Sequence, residues 1–312
     1  TMRRSTIFPS TPTLTEKNLP DQSGKVFMVT GGSSGVGKEL VGILYGSNAK
    51  IYIATRSQSR CKTAMDEIRA AHPHSRGELV FLSLQLDDLT TIKATAEQFL
   101  SKESRLDVLW NNAGVMEPPA GSMTKQGYEL QLGTNVLGHF LLTELLRPAL
   151  VRAAQTAPAG TVRVVVVSSA IADDCPKPAV VFDNMDYHRD ESSSVKYSRS
   201  KAGNTLHAVE YARRHEKDGI LCVSMHPGLL ATNLQKEFGH LKASFFKCIA
   251  SPAISGAYTE LYAGLDTSLT MANNGCWVAP YGHIEAVRKD YQDPELGRQY
   301  WSWMEEQVKP YV

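Results

Sequence analysis

Tyr197 and Lys201 stand four positions apart in the segment YSRSKAGNTLHAVEYARR, whose helical character projects both side chains from one face. An ammonium a few Å from a phenol favours the phenolate, lowering a pKa that starts near ~10 toward the range useful for general acid and base work. Ser168 and Ser169 close the apolar run Val162 to Val167, where a hydroxyl could polarise a carbonyl. Asn111 and Asn112 end another run in WNNAG, and Gly114 lets the backbone pass close to a ligand. Asn135 lies within the apolar face Leu132, Val136 and Phe140, where an unpaired amide is costly to bury. It needs a partner, and a bond to a nearby backbone bend and a catalytic role are both open.

These groups need a scaffold, and the stretch Lys25 to Gly37, KVFMVTGGSSGVG, supplies its organising element. Val26 to Val29 is an apolar run fit for a strand buried on both faces, and Thr30 to Gly37 cannot continue it. Val36, Leu40, Val41 and Leu44 then recur at helical spacing, so a strand, a glycine turn and a helix N-terminus follow directly. Unpaired N–H groups and the positive helix end attract a pyrophosphate there. The spacing Gly31, Gly35, Gly37 is GxxxGxG and differs from the GxGxxG fingerprint; glycines serving only a tight turn are the alternative reading. Thr55 and Arg56 end the second apolar run, where NAD enzymes place a carboxylate. A guanidinium there grips a 2′-phosphate, so NADP is expected over NAD. Arg60 and Lys62 read as solvated charges opening a helix.

With 312 residues the chain can bury a large core, and a net charge of +1 argues against nucleic-acid or membrane-surface partners. Cys61, Cys175, Cys222, Cys248 and Cys276 form no CxxC pair, which suggests reduced thiols, a cytoplasmic setting and no zinc site. Residues 1–24 read as an irregular, proline-broken arm without an apolar signal region, and no run approaches the ~18 residues of a membrane span.

Strand-like runs recur near Lys25–Thr30, Lys50–Ala54, Leu79–Leu86, Leu106–Trp110, Val162–Ser168 and Ile220–His226, with helical periodicity between them; Cys276–Val278 could add an edge. This alternation predicts an α/β fold with a doubly wound parallel sheet of about seven strands, helices on both faces and ligands beyond the strands' carboxyl ends. The segment Ala170 to Val195 and the segment Leu229 to Pro252 interrupt the rhythm at that end and read as loops bordering a ligand.

Together the motifs resemble the short-chain dehydrogenase/reductases over roughly residues 20–285, and look like their retinol-dehydrogenase-like, fungal-type branch. Thr30 to Gly37 fits that family's TGxxxGxG, Asn111 to Gly114 its NNAG, and Ser169, Tyr197 and Lys201 its catalytic serine and YxxxK. Asn135 in TNVLG fits the fourth catalytic position, and Pro227, Gly228 and Thr232 fit its PGxxxT beside the nicotinamide. The resemblance implies a single Rossmann-like domain over 25–285 with a substrate flap at about 229–252, and a C-terminal extension, 286–312, packing on it. It implies that Gly31, Ser33, Ser34, Gly35, Val36, Gly37 and Arg56 bind NADP together with Asn112, Ala113, Gly114, Tyr197, Lys201, Pro227, Gly228 and Thr232. Gln85 replaces the family's adenine-binding aspartate, and its carbonyl oxygen can accept the same bond.

By the same resemblance the reaction is hydride transfer between NADP(H) and a bulky apolar alcohol or carbonyl, in the sense of a ketoreductase of secondary metabolism. Met116, Ser169, Ile171, Tyr187 and Leu229 would line the substrate pocket, with Phe238, Phe245 and Phe246 on the flap. The branch often carries an N-terminal membrane anchor, which this arm is not expected to supply. A homo-oligomer, dimer or tetramer, is implied, joined through the helices carrying Asn135 and Tyr197. A nonenzymatic NADP sensor or scaffold, and an isomerase or cyclase using the same pocket, are the alternatives.

Overall fold

The computed structural model describes residues 3–7, 9–230 and 251–312. Thr232, Phe238, Phe245, Phe246, Cys248 and most of the expected flap lie outside the described residues.

Among the described residues eight strands form one sheet in the order β3-β2-β1-β4-β5-β6-β7-β8. They are β1 (Val26–Thr30), β2 (Lys50–Thr55), β3 (Glu78–Ser83), β4 (Val108–Asn111), β5 (Val162–Val167), β6 (Ile220–Met225), β7 (Trp277–Ala279) and β8 (His283–Glu285). The first seven pair in parallel, and only β8 runs antiparallel, with Val278 opposite Ile284. The sequence predicted about seven strands. It missed β8 because three residues with an exposed histidine and isoleucine carry neither an apolar run nor an alternation.

Helices α1 (Gly35–Gly46), α2 (Gln58–Ala71) and α6 (Ala253–Leu265) cover one face; α3 (Leu89–Leu100), α4 (Gly138–Ala154), α5 (Ser193–Arg214) and α7 (Pro294–Val308) cover the other. The pleat of β1 shows how one strand serves both layers. Met28 enters the core beneath α3, α4 and α5, whereas Phe27 and Val29 enter the core beneath α1 and α6. Trp110 of β4 lies in the second layer, edge-on to Phe27 at 5.4 Å, and its indole N–H donates to the Glu260 carbonyl at 2.9 Å. That bond and the small Gly264, whose added Cβ would stand 2.1 Å from Trp110 Cζ2, let α6 approach the strand ends closely. In the opposite layer Trp301 and Met304 of α7 are buried, Trp301 stacking edge-on against Phe140 at 4.9 Å.

The arm departs from the expected irregular chain in containing a helical turn, Arg4–Ile7. Arg3 pairs with Asp173 and Glu285, both at 2.8 Å, and the Thr6 hydroxyl meets His226 Nε2 at 3.3 Å. These contacts tie the arm to the loop after β5 and to β8. Because β1 has β2 on one side and β4 on the other, the strand order reverses at that point, and a crevice opens beyond the carboxyl ends of β1 and β4.

Candidate active site

The crevice holds a cleft of about 420 Å³ floored by the turn after β1. Gly31 has φ +70 and Gly35 φ +55, left-handed backbone that glycine adopts without strain. At Gly37 a Cβ would meet the Asn112 side-chain amide nitrogen at 2.5 Å, so glycine here leaves room for the Asn112 side chain against the turn. Ser34 precedes α1 without capping it through its side chain, and the first turn of α1 contains no carboxylate. The N–H groups of that turn are left to a ligand, and an anion is the one they favour.

Thr30 explains how the second wall is held. Its hydroxyl accepts from the backbone N–H groups of Asn112 and Ala113, each at 2.9 Å, while Asn112 Nδ2 donates to the Thr30 carbonyl at 2.7 Å. The asparagine motif after β4 is thereby stitched to the end of β1. Arg56, at the far end of the cleft, pairs with Asp87 at 3.3 Å and keeps 59% of its side chain exposed. Arg60, read from the sequence as a solvated charge, lines the cleft as well, whereas Lys62 pairs with Asp66 on the surface.

Val36, Asn112, Gly114 and Val115 are shared with a second cavity of about 360 Å³, and this one contains Ser169, Tyr197 and Lys201. Ser169 caps the short 3-10 turn after β5, accepting from Ile171 N–H at 3.4 Å. Tyr197 and Lys201 lie one turn apart on the buried face of α5, which Ser192 caps by accepting from Val195 N–H. The ammonium sits 5.8 Å from the phenol ring centre and donates to the Val167 carbonyl at 2.9 Å. Asn204, three residues along the same helix, donates to that carbonyl too, at 3.1 Å.

Burial pushes Lys201 down to about 8, with the Glu260 carboxyl pulling the other way. Tyr197 is pushed well above the ordinary tyrosine range, chiefly by burial; hydrogen bonding with Ser169 opposes this and the Glu117 charge adds to it. The sequence expected Lys201 to lower the phenol's pKa. Instead burial is the larger effect on the phenol and favours its protonated form, while the ammonium, itself desolvated, places one of its three N–H donors on the Val167 carbonyl. A protonated phenol beside a serine hydroxyl is a general acid for a carbonyl oxygen.

Asn135 occupies the middle of a π-helical stretch, Gly133–Leu137, that runs into α4. Such bulges often mark functional sites. Its side-chain oxygen accepts from Val115 N–H at 2.8 Å, and its amide donates to Val115 O at 2.9 Å and Ser200 Oγ at 3.1 Å. The backbone-bend partner foreseen from the sequence is thus present, and Asn135 positions the loop bearing Gly114 and Met116. It leaves no side-chain donor over for a ligand.

Met116, Ile171 and Leu229 line the second cavity with Ser169, and Pro227 and Gly228 close its rim. Two expected site residues fall elsewhere. Tyr187 lines a separate small cavity between α5 and α7, under the Lys196 ammonium at 5.2 Å, because the loop after β5 folds back toward Arg199 instead of over the serine. Gln85 is exposed and does not line the cleft; Leu84, Leu86 and Asp87 do. Leu82, Leu84 and Leu86 are buried while Ser83 and Gln85 are exposed, so the strand's alternation carries Gln85 outward. Sequence reasoning also missed Thr134, which lines the cleft and whose buried hydroxyl has no partner among the described residues, and Glu260. A hydroxyl amid apolar helix residues and a single glutamate in a helix give no signal by spacing alone.

Comparison with known proteins accounts for this geometry. The model of the short chain dehydrogenase family matches residues 25–181. A short-chain dehydrogenase/reductase of Emericella nidulans is 51% identical over 96% of this chain and 98% of its own length. One from Phomopsis amygdali is 46% identical over 98% and 96%. Among solved structures, an uncharacterised protein from Mycobacterium paratuberculosis superposes with TM-score 0.72 at 27% identity, over 96% of this chain and 98% of that one.

Proposed function

The chain belongs to the short-chain dehydrogenase family, and on that premise we propose that it is an NADP(H)-dependent ketoreductase interconverting a bulky apolar alcohol and its ketone or aldehyde, of the retinol-dehydrogenase-like branch. One observation carries the reading: Ser169, Tyr197 and Lys201 line a single cavity that opens, through Asn112 and Gly114, onto the glycine-turn cleft. Family membership makes the protein an oxidoreductase with a nicotinamide cofactor; the preference for NADP rests on Arg56 at the cleft's end, with Thr55 and Arg56 standing at the end of β2 in place of a carboxylate.

The residues fit that group. Gly31 and Gly37 leave backbone where a Cβ would fill the space, and Thr134, whose buried hydroxyl has no partner among the described residues, lines the same cleft. Backbone N–H groups at the start of α1 and the Arg56 guanidinium would hold its phosphates, and Lys201 its nicotinamide ribose. When bound, the cofactor supplies or accepts the hydride. Tyr197 gives its phenolic proton to the substrate oxygen on reduction, and takes it back on oxidation. Ser169 donates a hydrogen bond to that oxygen, and the Lys201 ammonium stabilises the phenolate left behind. Asn135 keeps the Gly114–Met116 loop in register.

Beyond the reacting atoms the cavity is predominantly apolar, with Met116, Ile171, Leu229 and Leu230 on its walls. This favours a large hydrophobic carbonyl compound, of polyketide, terpenoid, steroid or retinoid type. No described helix is long and apolar enough to cross a membrane. We place the enzyme in the cytoplasm, as a homo-oligomer joined through the helices that carry Asn135 and Tyr197. Incubating the purified protein with NADPH and a panel of apolar ketones tests the reading: NADPH oxidation matched by alcohol formation is expected. Binding without oxidation would mark a cofactor sensor, and a converted substrate without NADPH loss an isomerase; either contradicts it.

A further inference from the structure

On α6, on the side of the sheet opposite α5, Glu260 is fully buried, and neither of its carboxyl oxygens has a hydrogen-bond partner among the described residues. It lines the same cavity as Tyr197 and Lys201. A carboxyl in such a place is costly, since each unpaired polar atom loses its water without compensation. The carbonyl of the same residue accepts from the Trp110 indole N–H, which anchors this turn of α6 to β4 beside the cavity.

We propose that Glu260 is a positioning residue of the reductase site: its carboxylate faces the Lys201 ammonium across the cavity and keeps that ammonium charged. This inference rests on the ketoreductase reading for its use, though not for its measurement.

The groups around Lys201 leave this role to Glu260. From α5 itself comes the neutral Tyr197, and from α4 His139, which burial pushes down to about 4 and so keeps neutral. Glu117, in the loop after β4, acts on Tyr197, and Asp174, after β5, lines the cavity with an interaction of its own. Arg163, the buried cation of β5, is committed elsewhere, donating to the carbonyls of Gly160, Ala263, Asp266 and Leu269. Glu260 is pushed up to about 8 by burial although Lys201 draws it down, so its carboxylate forms in the same alkaline range in which Lys201 titrates, and there each charge favours the other. Two charges facing across a cavity in low dielectric couple strongly even without touching.

The consequence has a sign. Removing the carboxylate makes the ammonium harder to keep, so Lys201 loses its proton at lower pH. In Glu260→Gln the midpoint of Lys201 titration therefore moves at least about one pH unit lower. Competitive labelling with acetic anhydride across pH, mapped to Lys201 by mass spectrometry, reads that midpoint without any turnover. Glu260→Asp, which keeps the charge, restores most of it. In NADPH-dependent reduction the alkaline limb of kcat/KM shifts down by the same amount in Glu260→Gln and returns in Glu260→Asp. Should Glu260→Gln unfold, Glu260→Met fills the space without charge and carries the same readout. An unmoved Lys201 midpoint, with or without a changed melting temperature, makes Glu260 merely structural and overturns the inference. A wild type that consumes no NADPH with any ketone overturns the ketoreductase reading instead, and the labelling result still decides on Glu260.

Discussion

Replacing Arg56 with alanine separates NADPH from NADH. The guanidinium is 59% exposed and its bond to Asp87 is single and 3.3 Å long, an ion pair of the sort worth at most ~1 kcal/mol. Breaking that pair to meet a 2′-phosphate therefore costs little. A charge-assisted hydrogen bond to phosphate contributes roughly 1.5–3 kcal/mol, and exposure puts Arg56 toward the lower end. After the Asp87 pair is subtracted, about 1–2 kcal/mol remains, or roughly 5–30-fold in affinity. Arg56→Ala should weaken NADPH binding by that factor and leave NADH within about twofold, since NADH lacks the phosphate. Isothermal titration of both cofactors against both proteins measures this. Equal losses for the two, or a wild type that prefers NADH, would refute the assignment of Arg56. Asp87→Ala provides the converse: it removes a carboxylate from the same cleft, so NADPH should bind more tightly.

Acid should unfold the protein unusually early. Burial pushes His139 and His226 down to about 4 and His207 to about 3, so the folded state holds them neutral while an unfolded chain takes up their protons below about 6.5. Stability is intact above pH 6.5 and falls as pH drops toward 4, with a limiting slope of about 4 kcal/mol per pH unit for three protons. Denaturant titrations at a series of pH values measure the slope, which His139→Gln should reduce; a flat profile from pH 6.5 to 5 would contradict this. Gly264→Ala should cost roughly 1–3 kcal/mol or more, because its Cβ collides with Trp110 at 2.1 Å and pries α6 from the sheet. Thermal melting checks it, and an unchanged melting temperature would show that α6 sits farther out.

The parts of the site that were legible in the sequence are those whose chemistry and spacing coincide. The glycine turn follows a doubly buried strand, so Gly31 to Gly37 could be read as a ligand cradle. Tyr197 and Lys201 share a helix face by periodicity alone. What escaped depends on tertiary direction. Gln85 was set by position against a family pattern, although the buried leucines on either side of it already placed it on the strand's outer face. Tyr187 belongs to a long loop whose path no local rule fixes, and it folds toward α7. Glu260 looks in sequence like the polar side of an amphipathic helix; only the packing of α6 over Trp110 turns it inward. The phenol's pKa was misjudged for a related reason: a helical i, i+4 pair gives proximity, but burial decides the direction of its shift.

The account stands most directly on Tyr197→Phe, which deletes the one hydroxyl that can hand a proton to the substrate oxygen and leaves the ring in its buried place. NADPH oxidation with the best ketone of the panel should fall to below a hundredth of the wild-type rate, proton transfer by a positioned group contributing roughly 10²–10⁴-fold, while NADPH affinity stays within about twofold. A variant keeping a tenth or more of the wild-type rate would show that the proton comes from another group.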